Sequence, residues 1–364
     1  MSRYTRAIAL LGLLGLVFGG CKPAGGSQGP IKVGMLTVLT GPAASVGAEQ
    51  RTFAKLAVDQ FNKAGGIGGR PVEMVEGDTE FDPAKAVLAV ERLISDAAIY
   101  GVVGPESSQN CAATAEAFEK AGLAYISPSC TKPDLSEQGR KTFFRVIPRD
   151  DVQAPAGAIF IAQDLGAKSV YIIDDQSVYS VGLAGEAESK LQALGVATVK
   201  RESISQKDSD FSALLTRIKA ESPDVIYMPI QLAAQGAQIA KQMRELGVTA
   251  KIVGSDGLFS PSDFIAGAEG ATEGAFVTQF APDVHYIAEA EATVKEYEAQ
   301  YGEFGAYGPP SYESMAVLLD AMKRAYEKDQ KLTRENVLRE MRATQDRPGI
   351  LGFQVTFIEK GDAT

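Results

Sequence analysis

Three short hydroxyl side chains, Ser108, Ser129 and Thr131, fall within one stretch, GVVGPESSQNCAATAEAFEKAGLAYISPSCTKPDL, residues 101–135. The stretch reads as strand, loop, helix, strand, loop: a β-branched run at 101–104, a helix from about 110 to 121 ended by Gly122, and a buried strand at 123–126. Two parallel strands joined by a helix bring both loops to the same carboxyl edge of a sheet, where open α/β sheets bind ligands. Hydroxyls beside helix N-termini suit a small anion such as a carboxylate. Such an arrangement binds; it contains no nucleophile paired with a base.

Other groups with chemical potential do not assemble into a catalytic set. The single histidine, His285, lies in a Pro-Asp-Val-His-Tyr loop with no companions at ligand spacing, so no metal site is expected. No Gly-x-Ser-x-Gly elbow occurs. Ser129 and Lys132 have Ser-x-x-Lys spacing, but Pro133 follows and the strand-end setting suits a turn. Asp174 and Asp175 read as caps of the turn before Tyr179, and Tyr312 as a helix aromatic of the core or of a cleft mouth. No catalytic residue and no cofactor are therefore expected.

The elements that must position these residues alternate strand and helix. A strand at 31–37 leads to a helix at 46–63, a glycine cluster at 65–69, a strand at 71–76 and a helix capped by Asp82. The glycine cluster follows a helix and precedes a strand, the reverse of a dinucleotide fingerprint, and so reads as a C-cap and turn. From residue 150 the alternation repeats, with strands at 169–173, 196–202, 224–228, 251–254 and 274–278. Three helices, at 287–301, 311–327 and 334–343, and a strand at 351–358 complete the pattern. The expected fold is α/β, two doubly wound parallel-sheet lobes around a hinged cleft. Residues 31–149 with 280–364 would make the first lobe and 150–279 the second.

Composition fits a folded chain of that size: 364 residues, 45% hydrophobic and 23% charged, are enough for two domains. A formal charge of −10 argues against nucleic acid, which requires a basic face. Arg3 and Arg6, an apolar run at 7–18 and Gly19-Gly20-Cys21 describe a secretory signal at 1–20, too short for a membrane span. The cysteine after small residues resembles a lipobox, although Phe18 stands where leucine is usual. Cys21 is then the lipidated first residue and 21–30 a flexible tether. In an oxidising compartment Cys111 and Cys130 are expected to bridge, with two buried thiols as the alternative.

Several segments together resemble the leucine/isoleucine/valine-binding proteins, type I periplasmic solute receptors of branched-chain-type amino-acid ABC importers. They are IKVGMLTVLTGP, NKAGGIGGRPVEMVEGD, FDPAKAV, VVGPESS, ISPSCTKPDL, FFRVIPRDDVQAP, IIDDQSVYSVGL, DFSALLTRIKAESPDVIY, IVGSDGL and GFQVTFIEKGD. The resemblance implies that Ser108, beside Ser107, binds a ligand α-carboxylate with help from Thr131. It implies that the Ser129 carbonyl, Thr131 and Asp256, where glutamate is more usual, hold the α-ammonium, and that Tyr179 closes from the far lobe. It implies a lipid-anchored monomer in the periplasm or on the outer cell surface, delivering an amino acid or close analogue to permease subunits. A ligand sensor of the same fold, or a hydrolase of a small amide, is the alternative. The side-chain pocket departs from the family: Glu106, Val46 and Gln231 stand at apolar or aromatic positions, which suggests a polar or cationic ligand side chain. The family also usually continues past the KGD turn, whereas this sequence stops at Thr364.

Overall fold

The computed structural model describes residues 29–364; the expected signal segment, Cys21 and all but the end of the tether lie outside the described residues. The first lobe is built on β1 (Ile31–Thr37), α1 (Ala44–Lys63), β2 (Val72–Asp78), α2 (Pro83–Ser95), β3 (Ile99–Val103), α3 (Ser108–Ala121), β4 (Tyr125–Ser127), α4 (Asp134–Glu137) and β5 (Phe143–Arg145). The second lobe contains α5 (Asp150–Ile159), β6 (Ser169–Asp174), α6 (Val178–Ala193), β7 (Ala197–Ser203), α7 (Ser212–Glu221), β8 (Val225–Met228), α8 (Ala233–Leu246), β9 (Lys251–Gly254) and β10 (Phe276–Val277). The chain then returns with α9 (Glu291–Tyr301), α10 (Gly308–Asp329), α11 (Arg334–Arg342) and the short antiparallel pair β11 (Arg347–Pro348) and β12 (Gln354–Val355).

Both large sheets are five-stranded and parallel, in the orders β2-β1-β3-β4-β5 and β7-β6-β8-β9-β10. The second repeats the order of the first, so the two lobes share one topology. Strands covered on both faces lose the polar alternation of a half-exposed sheet. All of β3, β4, β5, β6 and β8 are buried except Tyr100 and Ser169, which are partly covered. In the first lobe α1, α10 and α11 cover one face and α2 and α3 the other. In the second, α7 and α8 oppose α5 and α6.

Local chemistry sets the element ends. The Asp82 carboxylate accepts from the N–H groups of Ala84 and Lys85 to start α2, with Pro83 in its first turn. Ser107 caps α3, and Gly122 ends it in the left-handed conformation, φ 57°. Beyond residue 343 the expected strand at 351–358 is reduced to Gln354–Val355. Instead, residues 361–363 run beside β5: the Arg145 N–H donates to the Gly361 carbonyl and the Ala363 N–H to the Arg145 carbonyl, each at 3.0 Å. The Arg145 guanidinium, fully buried, pairs with Asp362 at 2.6 Å.

No helix among the described residues is long and apolar enough to cross a membrane.

Candidate functional site

In each lobe strand order reverses between the first strand and its neighbours, leaving a crevice at the carboxyl ends where ligands bind in open α/β sheets. The two crevices face each other. One cleft is lined by Ala43, Val46, Phe81, Glu106, Ser107, Ser108, Ser129, Tyr179, Gln231, Asp256, Gly257 and Tyr307. All but Tyr307, which stands just before α10, owe their place to the strand before them. Val46 follows β1; Glu106 to Ser108 follow β3; Ser129 follows β4; Tyr179 follows β6; Gln231 follows β8; Asp256 follows β9.

On the first lobe α3 begins at Ser108, whose backbone N–H belongs to the helix's unpaired first turn. The Ser108 Oγ accepts from the Lys132 N–H at 3.3 Å, and Ser107 Oγ accepts from the Asn110 N–H at 3.4 Å. The approach of β3 to β1 depends on Gly104. Its φ is +110°, and a Cβ there would lie 1.9 Å from the Leu36 carbonyl oxygen. The Ser129 hydroxyl is committed inward: it donates to the Glu106 carbonyl at 2.6 Å and accepts from Gln50 Nε2 at 2.8 Å. Gln50 in turn accepts from Thr37 at 2.7 Å.

Thr131 does not line the cleft. It is buried behind Ser129, with its carbonyl accepting from the Asp150 N–H at 3.0 Å. Cys111 and Cys130 form a disulfide, which excludes the alternative of two thiols. It ties the first turn of α3 to the loop after β4.

On the second lobe Asp256 is 4% exposed and meets three side-chain donors. Gln153 Nε2 donates to its Oδ1 at 2.7 Å, the Tyr179 hydroxyl lies 2.6 Å from the same oxygen, and the Tyr307 hydroxyl donates to Oδ2 at 3.2 Å. Burial pushes the Asp256 carboxyl above its usual range, against those three hydrogen bonds. Close beside it Asp150, also buried, is pushed up to about 7, first by burial and further by the charge of Asp256. Gly257 is required by space: a Cβ would meet the Ile230 carbonyl oxygen at 2.2 Å.

Sequence reasoning missed Tyr307, Gln153, Phe81 and Ala43. Tyr312, considered for the cleft mouth, packs instead between α10 and α1, where its hydroxyl meets Gln60 at 2.5 Å. Glu106 neither points to solvent nor pairs with a base. Glu106 is 4% exposed and accepts from Thr79 and Asn110, both uncharged.

Groups weighed for catalysis lie otherwise engaged. Lys132 pairs with Asp134 at 2.5 Å, so its amine does not address Ser129. His285 is held between Asp283 at 2.7 Å and Glu298 at 3.2 Å, away from the cleft lining. Among the described residues no group of three or more histidine, cysteine or acidic side chains could hold a metal ion.

A sequence model of the family described as periplasmic binding protein matches residues 30–364. The Leu/Ile/Val-binding protein BraC3 of Rhizobium johnstonii is 32% identical over 334 residues, 92% of this chain and 89% of that one. The leucine-binding protein LivK of Thermotoga maritima superimposes with a TM-score of 0.83 at 30% identity, over 92% of this chain and 93% of that one. LivJ of Streptococcus pneumoniae, solved with isoleucine, gives a TM-score of 0.84 at 27% identity over the same shares. With its whole described length accounted for in this way, the chain belongs to the type I periplasmic binding proteins, among relatives that bind leucine, isoleucine and valine.

Proposed function

We propose that the chain is an extracytoplasmic receptor that captures an amino acid between its lobes and delivers it to the permease of an ABC importer. The observation that carries this reading is that Ser108 at a helix N-terminus on one lobe and Asp256 on the other line the same cleft. A zwitterion needs donors at one pole and a carboxylate at the other, because unpaired buried charge is costly. In this reading Ser108 binds the α-carboxylate through hydroxyl and N–H, with Ser107 fixing the helix start. The Ser129 carbonyl and Asp256 hold the α-ammonium, Thr131 assists from behind, and Tyr179 closes over the ligand. Val46 and Gln231 flank the ligand side chain.

Since the two poles are satisfied from different lobes, ligand favours the closed arrangement by differential contact. The lobes would be 31–149 with 280–364, and 150–279, and the working form a monomer. Cys21 would carry the lipid at the head of the 21–30 tether to the membrane. The resemblance to LivK and BraC3, named for amino-acid binding, supports the same substrate class.

A thermal-shift screen against the amino acids tests the proposal, since a ligand of the folded state raises the melting temperature. At least one amino acid should do so and bind with one-to-one stoichiometry in calorimetry. If none shifts the transition, the receptor reading is wrong. Replacing Cys21 by Ser should release the expressed protein from the membrane fraction.

A further inference from the structure

Glu106 carries a carboxylate that clamping a zwitterion does not use. It lines the cleft just before α3, yet it is nearly fully buried. Its Oε1 accepts from the Thr79 hydroxyl at 2.8 Å and from Asn110 Nδ2 at 2.7 Å. Its Oε2 is buried and accepts no hydrogen bond from any other residue among those described. Two donors on one oxygen fix the carboxylate's orientation, so the other oxygen cannot turn away to solvent. An acceptor buried without a donor is unfavourable, and more so when charged.

The surroundings make that unpaired oxygen more demanding. Asp78 acts on Glu106 from the end of β2 and raises its proton affinity further, after burial, which is the larger cause. Among the described residues no lysine, arginine or histidine lines the cleft. Ala43, Val46 and Phe81 supply an apolar wall that a methylene stem could follow.

We infer that the ligand is an amino acid whose side chain ends in a cationic nitrogen, an ammonium or guanidinium, donating to Glu106 Oε2. This deepens the receptor reading and rests on it. A neutral carboxamide could also donate, but it would leave the carboxylate's charge uncompensated, whereas a charge-assisted pair is the stronger bond. An alkyl side chain would bury the oxygen with nothing opposite, which is how a site rejects a ligand lacking the required donor.

The test is calorimetry of the intact chain, above the Glu106 titration, with lysine, ornithine, arginine, glutamine, leucine and norleucine. Norleucine has the stem of lysine without its ammonium. One basic amino acid should bind at least about tenfold more tightly than norleucine and glutamine, a ratio corresponding to about 1.4 kcal/mol. Glu106→Gln should lose about tenfold or more for that ligand, and Glu106→Leu should shift preference toward norleucine. If leucine, norleucine or glutamine binds as tightly as every basic amino acid, the inference fails and the amino-acid receptor stands. If no amino acid binds, the receptor reading itself falls, and the inference with it. Because the ranking is read on the unmodified chain, a variant that fails to fold leaves the test intact.

Discussion

Asp256 draws donors from Gln153, Tyr179 and Tyr307, and those three groups would lose a shared acceptor were it truncated. Asp256→Ala would also leave a bound ammonium without its counter-charge. The expected loss is about 3–5 kcal/mol, roughly two to three orders of magnitude in Kd by calorimetry. Asp150 makes a prediction of a different kind. Its carboxylate is buried, and burial, then the charge of Asp256, raise its pKa from 3.8 to about 7 against the Thr131 hydroxyl. Between those limits the unfolded chain releases a proton that the folded chain keeps. Stability from this group is therefore complete below pH about 4 and is lost as pH rises through about 7. Other acids oppose the trend: Arg217 holds Glu202 down to about 2, so its stabilisation is lost only on acidification. The isolating measurement is the difference in denaturation midpoint between the protein and Asp150→Asn across that range. The variant should gain relative stability as pH rises; a flat difference would refute the assignment.

At the scale of elements, the unit from β3 through α3 to β4 presents the first lobe's half of the site and is braced from two sides. The Cys111–Cys130 disulfide spans a sequence separation of 19 between the start of α3 and the loop after β4. From β5, Arg145 Nη1 donates to the carbonyls of Cys130 and Lys132, each at 2.9 Å. Replacing both cysteines by alanine should cost about 3 kcal/mol, from the entropy the bridge removes from the unfolded chain. Urea unfolding would read that loss, and ligand affinity should fall with it as the Ser108 and Ser129 loops loosen. The C-terminal end of α3 was legible in the sequence because Gly122 acts through local backbone geometry, whereas its start, expected at about 110, lies at Ser108 behind the Ser107 cap. The strand edges that carry Ser108, Tyr179 and Asp256 were legible too, since the alternation of elements fixes which ends share an edge. Tyr307 was not. Two prolines hide the first turn of α10, which starts at Gly308 rather than 311, and the partner Asp256 lies 51 residues away. β5 escaped periodicity because three buried residues carry no alternation. Glu106 could be suspected but not oriented, because Thr79 reaches it only through the register of β1 with β2 and β3.

At the scale of the whole molecule, two lobes of one topology meet across their switch points, and a few contacts join them directly. Tyr307, set among the first lobe's core residues, donates to Asp256. Ser45 Oγ donates to Asp263 at 2.5 Å at the cleft's lip. Val38, Ala43 and Phe81 pack against Leu232 of the second lobe. Such contacts exist only when the lobes are together, so weakening one should shift the balance between open and closed without touching the fold of either lobe. Tyr307→Phe keeps the ring stacked edge-on to Phe280 and removes only the hydroxyl. A hydrogen bond to a charged acceptor contributes about 1.5–3 kcal/mol. Affinity should therefore fall by about one to two orders of magnitude. Release, which requires reopening, should carry most of the change, as the dissociation rate usually does among variants of one site. Stopped-flow dissociation would read it directly. Small-angle scattering should show the unmodified chain compacting on ligand binding, with the variant needing more ligand to reach the same radius. An unaltered release rate would mean that this cross-cleft bond does not hold the closed form, and that closure rests on the Leu232 contact and the lip instead.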